Sequence, residues 1–154
     1  MATYILNEWF WADCANENGP KNFREAVELI SALASNDDSI IFVAGGRAEE
    51  KFWSLTRSNS PPAQRTLFKV FYLQIYLDSA KCRIVHTDNL PPCPRQLIYR
   101  VNVDDRYLVQ AQLTVEGSII VSTDTNLLIV LRNDGLPHES RDMFIESYLP
   151  PRIR

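Results

Sequence analysis

The chain has 154 residues, with 16 Lys and Arg against 19 Asp and Glu, a net charge of −3, and 45% hydrophobic residues. That length suits one domain, spanning 1–154, and five glycines exclude collagen-like or low-complexity character. No apolar run approaches the roughly 18 residues that cross a bilayer, so no membrane partner is expected. The charge of −3 speaks against coating nucleic acid by bulk electrostatics, though not against local contact through a metal. His86 and His138 stand at no ligand spacing, and Cys14, Cys82 and Cys93 form no C-x-x-C pair. An unpaired cysteine set with no secretory signal is expected as reduced thiols in a cytoplasmic protein.

Tyr4-Ile5-Leu6 reads as a short buried strand, and Asn16 to Pro20 as a turn. Phe23, Val27, Ile30 and Leu33 recur on one helical face, which Ser35-Asn36-Asp37-Asp38 ends. Ile40-Ile41-Phe42-Val43 is a second strand, followed by a Gly45-Gly46 turn and a helical stretch from Arg47 to Leu55. Ser58-Asn59-Ser60-Pro61-Pro62 breaks the chain, and either proline can open the long helix marked by Leu67, Val70, Phe71 and Ile75. Cys82 to His86 is a third strand; Asn89 to Pro94, with its three prolines, is irregular. Asp104-Asp105 opens a helix through Leu108, Ala111 and Val115 that Gly117 ends. Ser118 to Ser122 is a fourth strand, Thr123 to Asn126 a capping turn into Leu127–Leu131, and Gly135 to Pro137 a short fifth strand. Ser140 caps a last helix through Phe144, Ile145 and Leu149. Short apolar strands alternating with helices predict a three-layer α/β/α domain with a largely parallel sheet.

In such sheets ligands bind beyond the carboxyl ends of the strands. Asn7-Glu8 follows the first strand, with Asp13 further on. Glu49-Glu50 follow the second, Asp104-Asp105 open a helix, and Asp124 follows the fourth strand with Asn126 beyond it. Taken singly, Asp104, Asp105 and Asp124 suit helix caps, and Glu49 and Glu50 a solvated face. Taken together they form a carboxylate cluster, which is costly unless a cation sits within it. Oxygen ligands without His or Cys select Mg²⁺ or Mn²⁺, and a cation so held supports hydrolysis at phosphorus.

The stretch Asp105-Arg106-Tyr107-Leu108-Val109-Gln110-Ala111 resembles the PIN-domain pattern of an acid opening a helix. Ile119-Ile120-Val121-Ser122-Thr123-Asp124-Thr125-Asn126-Leu127 resembles the strand, hydroxyl and Asp stretch of that family. Pro137 to Leu149 is similar to its closing strand and helix. The resemblance implies a Mg²⁺- or Mn²⁺-dependent ribonuclease acting on RNA, toxins of bacterial toxin–antitoxin pairs being a large class of the family, with an antitoxin protein and a homodimer as implied partners. It assigns Asp105 and Asp124 as metal ligands, Asn126 as a weaker one, and Glu50 or Glu49 as the helix glutamate, Glu50 being preferred. It further implies catalytic roles for Asp105, Asp124, Glu50 and Glu8. The first motif departs from the family: Leu6-Asn7-Glu8 has Asn7 where an Asp is usual, so Asn7 is a neutral ligand, with Glu8 or Asp13 as substitutes. That departure sustains the alternative of an inactive PIN-like module binding protein or RNA.

Three further features carry two readings each. Trp9-Phe10-Trp11 suits core packing or a base-stacking platform. Lys81, Arg83, Arg95, Arg100 and Arg106 suit a phosphate-contacting strip or a solvated face. Gly45-Gly46-Arg47 lacks the Gly-Lys-Ser/Thr of a phosphate loop and reads as a turn.

Overall fold

A computed structural model describes residues 1–57 and 59–151. Ser58 of the expected break, and Arg152 to Arg154 at the end of the expected domain, lie outside the described residues. The strands are β1 (Thr3–Leu6), β2 (Ser39–Ala44), β3 (Cys82–His86), β4 (Ile119–Ser122) and β5 (His138–Ser140). The helices are α1 (Glu8–Cys14), α2 (Pro20–Ser35), α3 (Arg47–Ser54), α4 (Pro62–Phe71), α5 (Arg95–Ile98), α6 (Arg106–Gln112), α7 (Thr125–Asn133) and α8 (Arg141–Tyr148). A π-helical turn, Tyr72–Tyr76, continues α4, and 3₁₀ turns occupy Thr87–Asn89 and Val103–Asp105.

The five strands pair in parallel in the order β3-β2-β1-β4-β5. Residues alternate across the sheet with a period of two, and each face has its own core. Leu6, Ile40, Phe42 and Val121 pack beneath α1, α2, α3, α4 and α8. Ile5, Ile41, Val43 and Ile120 pack beneath α5, α6 and α7. This is the expected three-layer α/β/α architecture. The first layer is aromatic: Phe10, Trp11, Phe42, Phe52 and Phe71 meet edge-to-face or tilted at centroid separations of 4.8 to 6.0 Å. The second is built from Ile, Val, Leu and Ala.

Three expectations need adjustment, and one of two open readings is decided. The helix that opens at Asp105 stops at Gln112, short of Val115, where Thr114 Oγ1 donates to the Ala111 carbonyl at 2.6 Å. The fifth strand forms at His138–Ser140, just past Pro137, which lacks the N–H a ladder needs. A four-residue helix, Arg95–Ile98, follows the proline-rich stretch and inserts Leu97 into the second core. Trp9, Phe10 and Trp11 are all buried, so the core reading holds and no base can stack on them. Trp9 is also tied to the sheet, its Nε1 donating to Val121 O at 2.8 Å.

Candidate functional site

The chain runs outward from β1 through β2 to β3, then crosses back to place β4 and β5 on the other side of β1. The carboxyl ends of β1 and β4 therefore lie side by side at the point where the strand order reverses. This is the place where open α/β sheets bind ligands. Leu6 pairs with Val121, so Asn7 and Ser122 emerge next to each other.

Asn7 caps α1: its Oδ1 accepts from Glu8 N at 2.7 Å and from the Tyr107 hydroxyl at 3.1 Å. Its Nδ2 donates to Ser122 Oγ at 3.4 Å. Ser122 Oγ also accepts from Asp124 N at 3.0 Å, which turns the chain so that Asp124 faces back over the strand end. Asp124 Oδ1 caps α7, accepting from Asn126 N at 2.9 Å and Leu127 N at 3.2 Å. Asn126 is exposed, and its backbone N–H is the group that meets Asp124.

Asp105 occupies the N-cap position of α6 yet makes no capping hydrogen bond. Its side chain instead hydrogen-bonds Asp124. Partial burial, then the charge of Asp124 and that hydrogen bond, then Glu8 and Asp104, push its carboxyl up to about 6. Asp105 thus keeps a proton over a range where an ordinary aspartate has lost it. Tyr107, largely buried, is held well above the usual phenol range by burial and by the charges of Glu8 and Asp105, with Arg47 opposing.

The structure thus gathers Asp105 and Asp124 into contact, with Glu8 acting on Asp105 and Asn7 between the strand ends. Glu50 is placed differently. Ala48 and Phe52 form the buried stripe of α3, so Glu50, midway between them, lies on the exposed face. Glu49 turns back on its own loop, accepting from Gly45 N at 2.9 Å and Trp53 Nε1 at 3.4 Å. The contribution of α3 to the site edge is Arg47, paired with Asp104 at 3.6 Å across an exposed gap. The Gly45 turn that leads there needs glycine: its φ is +91°, and a Cβ would lie 2.7 Å from Thr87 Oγ1.

Asp13 does not substitute for the missing acid. It is 1% exposed and locked by Arg141 Nε at 3.0 Å, Asn18 Nδ2 at 2.8 Å and Asn22 Nδ2 at 3.3 Å. Arg141 also binds Glu25 at 3.2 Å and Asp142 at 3.2 Å, and lies 5.4 Å from the Trp9 ring centroid. Of the two readings of the five cations Lys81, Arg83, Arg95, Arg100 and Arg106, the strip is not favoured, because two of them are engaged elsewhere. Lys81 Nζ donates to Leu33 O at 2.9 Å, and Arg100 pairs with Asp134 at 3.6 Å. An open groove of roughly 660 Å³ runs from Asn7 and Glu8 past Lys51 and Thr123 to Lys21 and Asn22. Tyr107, Ser122, Arg47 and these groove lysines are what sequence reasoning missed. Ser122 had a signal, the hydroxyl two residues before Asp124; the lysines had none. Burial pushes the Cys14 and Cys82 thiols up, the latter to about 12, so neither is an activated nucleophile.

Among the described residues no three His, Cys, Asp or Glu side chains converge into a set that could hold a metal ion. The donor chemistry nevertheless fits one kind of ion. Mg²⁺ retains several waters and is typically bound through one or two carboxylates together with substrate phosphates. Asp105 and Asp124, neighbouring carboxyls of which Asp105 is pushed up to about 6, are such a donor set.

Fold and site define an α/β/α domain with an acidic pair at the switch point of a parallel sheet. Comparison with protein-family models, curated proteins and solved structures finds no match to the chain. Among the described residues no helix is long and apolar enough to cross a membrane.

Proposed function

We propose that this protein is a Mg²⁺- or Mn²⁺-dependent ribonuclease of PIN-like type, hydrolysing RNA phosphodiester bonds. The contact between Asp105 and Asp124 carries this reading. Asp105 stands where a helix cap is expected, makes no cap, and spends its carboxyl against another carboxylate. Such an arrangement costs stability, and a cation relieves that cost.

Asp105 and Asp124 would hold the ion, with Glu8 adding negative potential at its side and the Asn7 carbonyl a neutral donor. A divalent cation bound there supplies charge neutralisation at the phosphate and activation of water. The chain's own contributions are orientation and electrostatics. Ser122 sets the turn that presents Asp124, and Tyr107 and Glu8 N fix the Asn7 amide. Lys21 and Lys51, in a groove they share with Glu8 and Asp142, would be the cations that meet a phosphate backbone. A toxin's role, with an antitoxin as partner, and a homodimer belong to the same proposal.

One observation favours a second reading, a PIN-like module that binds protein or RNA without cutting. Asn7 Oδ1 already accepts two hydrogen bonds, which occupies the donor that would complete the ligand set. Cleavage of mixed RNA with Mn²⁺, wild type against Asp105→Asn, separates the two. Cleavage lost in the variant supports the nuclease; RNA binding without cleavage by either protein, and no Mn²⁺-dependent rise in Tm, supports the module.

A further inference from the structure

Residues 51–77 contain Lys51, Arg57, Arg65 and Lys69 and not one Asp or Glu, while the rest of the chain carries 12 cations and 19 carboxylates. A chain of net −3 therefore concentrates positive charge on the stretch from Lys51 to Lys69, with Arg65 and Lys69 on α4. Arg65 and Lys69 on α4, Leu73 in the π turn and Leu77 at its C-terminal cap follow one another at intervals of four, and all four are exposed. Leu73 is 61% and Leu77 57% exposed, with Trp53 at 41% on the neighbouring helix. Among the described residues Lys51 is the one of the four cations with an ion-pair partner, Glu17 at 3.1 Å. A second acid that touches the segment is Glu49, which reaches Trp53 Nε1 at 3.4 Å and is already engaged by Gly45 N.

The row has the form of a helix-packing ridge. Residues four apart on a helix make the ridge that fits the groove of another helix. This one changes character along its length, cationic at Arg65 and Lys69 and aliphatic at Leu73 and Leu77. Its base is packed: Phe68, Tyr72 and Tyr76 stack in succession at 5.8 and 5.4 Å, nearly parallel at 16° and 18°. Tyr76 in turn stacks on buried Phe52 at 5.2 Å. A ridge held this way loses little freedom on binding.

We propose that this ridge docks an amphipathic helix of a partner protein, with carboxylates facing Arg65 and Lys69 and apolar side chains facing Leu73, Leu77 and Trp53. Charge selects this occupant over two others. A symmetric contact between two copies would set each cationic end against an identical surface, and the segment carries no acid to answer it. Single-stranded nucleic acid needs free ring faces, but Phe68, Tyr72 and Tyr76 spend theirs on one another, and the most exposed side chains are leucines. An acidic amphipathic helix answers both ends of the ridge. The inference is independent of the nuclease reading, because none of these residues belongs to the acidic site.

The test is fluorescence anisotropy at about 0.15 M salt, an ionic strength that screens exposed charges beyond ~8 Å. The probe is a labelled helical peptide of about four turns, with Glu on one end of a face and Leu on the other. Saturable binding is expected, weakened ~10-fold or more by Arg65→Glu/Lys69→Glu and equally by Leu73→Ser/Leu77→Ser, with Tm unchanged in both variants because the positions are exposed. Absence of saturable binding to the wild type overturns the proposal. So does equal binding of a peptide with Lys in place of Glu, or binding that both variants retain. Binding of oligouridylate lost in the same variants would reassign the face to nucleic acid. A wild-type dimer in sedimentation that Leu73→Ser/Leu77→Ser dissolves would reassign it to a second copy.

Discussion

Two acidic groupings lie on either side of α1, and they are built on opposite terms. Asp13 and Glu25 are buried, but Arg141 stands between them, and Asn18 and Asn22 saturate the remaining carboxylate positions on Asp13. Burial works against the Arg141 charge, and Asp13 and Glu25 more than offset it, leaving the guanidinium above its ordinary pKa. Asp105 and Asp124 are less buried, yet among the described residues neither has an ion-pair partner, and Glu8 and Asp104 add to the repulsion on Asp105. A compensated buried network fixes α1, α2 and α8 to one another. An uncompensated pair at the mouth of the sheet stores an electrostatic cost that something positive can remove. The contrast assigns structure to the first grouping and binding to the second.

The largest effect should come from breaking the compensated side. Arg141→Ala leaves Asp13 and Glu25 buried without a cation and removes the contact with Trp9, so it should cost ~3–5 kcal/mol in urea denaturation. Restoring neutrality with Asp13→Asn in the same chain should return part of that loss. If Arg141→Ala costs as little as an exposed ion pair, below about 1 kcal/mol, the network is not what holds α1 in place.

Asp105→Asn probes the other side, where loss of charge should be harmless or helpful to the metal-free fold. Metal-dependent cleavage should fall by ~100-fold or more, since even groups that only orient metal ligands cost 10–100-fold when removed. Stability should move the opposite way, with Tm unchanged or raised in the absence of divalent ions. A variant that loses stability and keeps its cleavage would invert the assignment.

The same pair predicts a pH dependence. Asp105 has its pKa raised on folding, to about 6, so between about 4 and about 6 the native chain binds more protons than the unfolded one. Its contribution to stability is therefore full below about pH 4 and is lost as pH rises through about 6. Metal-free wild type should lose stability over this window relative to Asp105→Asn, and saturating Mn²⁺ should reverse the loss. A wild type that instead gains on the variant as pH rises would mean that Asp105 is compensated after all.

How far the sequence reaches follows the same division between local pattern and tertiary placement. β1, β2 and β4 were legible because each is an apolar run bounded by turn residues and covered on both faces. β3, an edge strand with Arg83, Ile84 and His86 exposed, was instead legible from its β-branched pair and flanking turns. β5 is polar, His138-Glu139-Ser140, and was missed by a step because an edge strand needs no apolar signature. The pair Asp105 and Asp124 was legible through its motif spacing and its place after strand ends. What no local pattern could tell is where a helix turns its acids. Glu50 is exposed because Ala48 and Phe52 take the buried stripe of α3, and Asp13 is buried because Arg141 arrives from 128 residues away. Orientation of this kind is set by packing partners that periodicity does not name.

The smallest expected effects concern Asn7, the cap at the start of α1 beside the uncompensated pair. Asn7→Asp supplies a charged ligand beside Asp105 and Asp124 and keeps the cap on Glu8 N, since Asp and Asn cap equally well. Mn²⁺ should bind about tenfold tighter by calorimetry, equivalent to about 1.4 kcal/mol. The metal-free Tm should fall, because a further carboxylate joins an uncompensated site. Tyr107→Phe tests the partner of that amide. It removes one of two hydrogen bonds to Asn7 Oδ1, so it should cost about 0.5–1.5 kcal/mol of stability. It also frees a carbonyl lone pair at the site, and Mn²⁺ affinity should rise slightly rather than fall. A marked loss of Mn²⁺ binding in Tyr107→Phe would mean that the hydroxyl holds Asn7 in a ligating pose, and the amide would then belong to the metal site rather than to the cap.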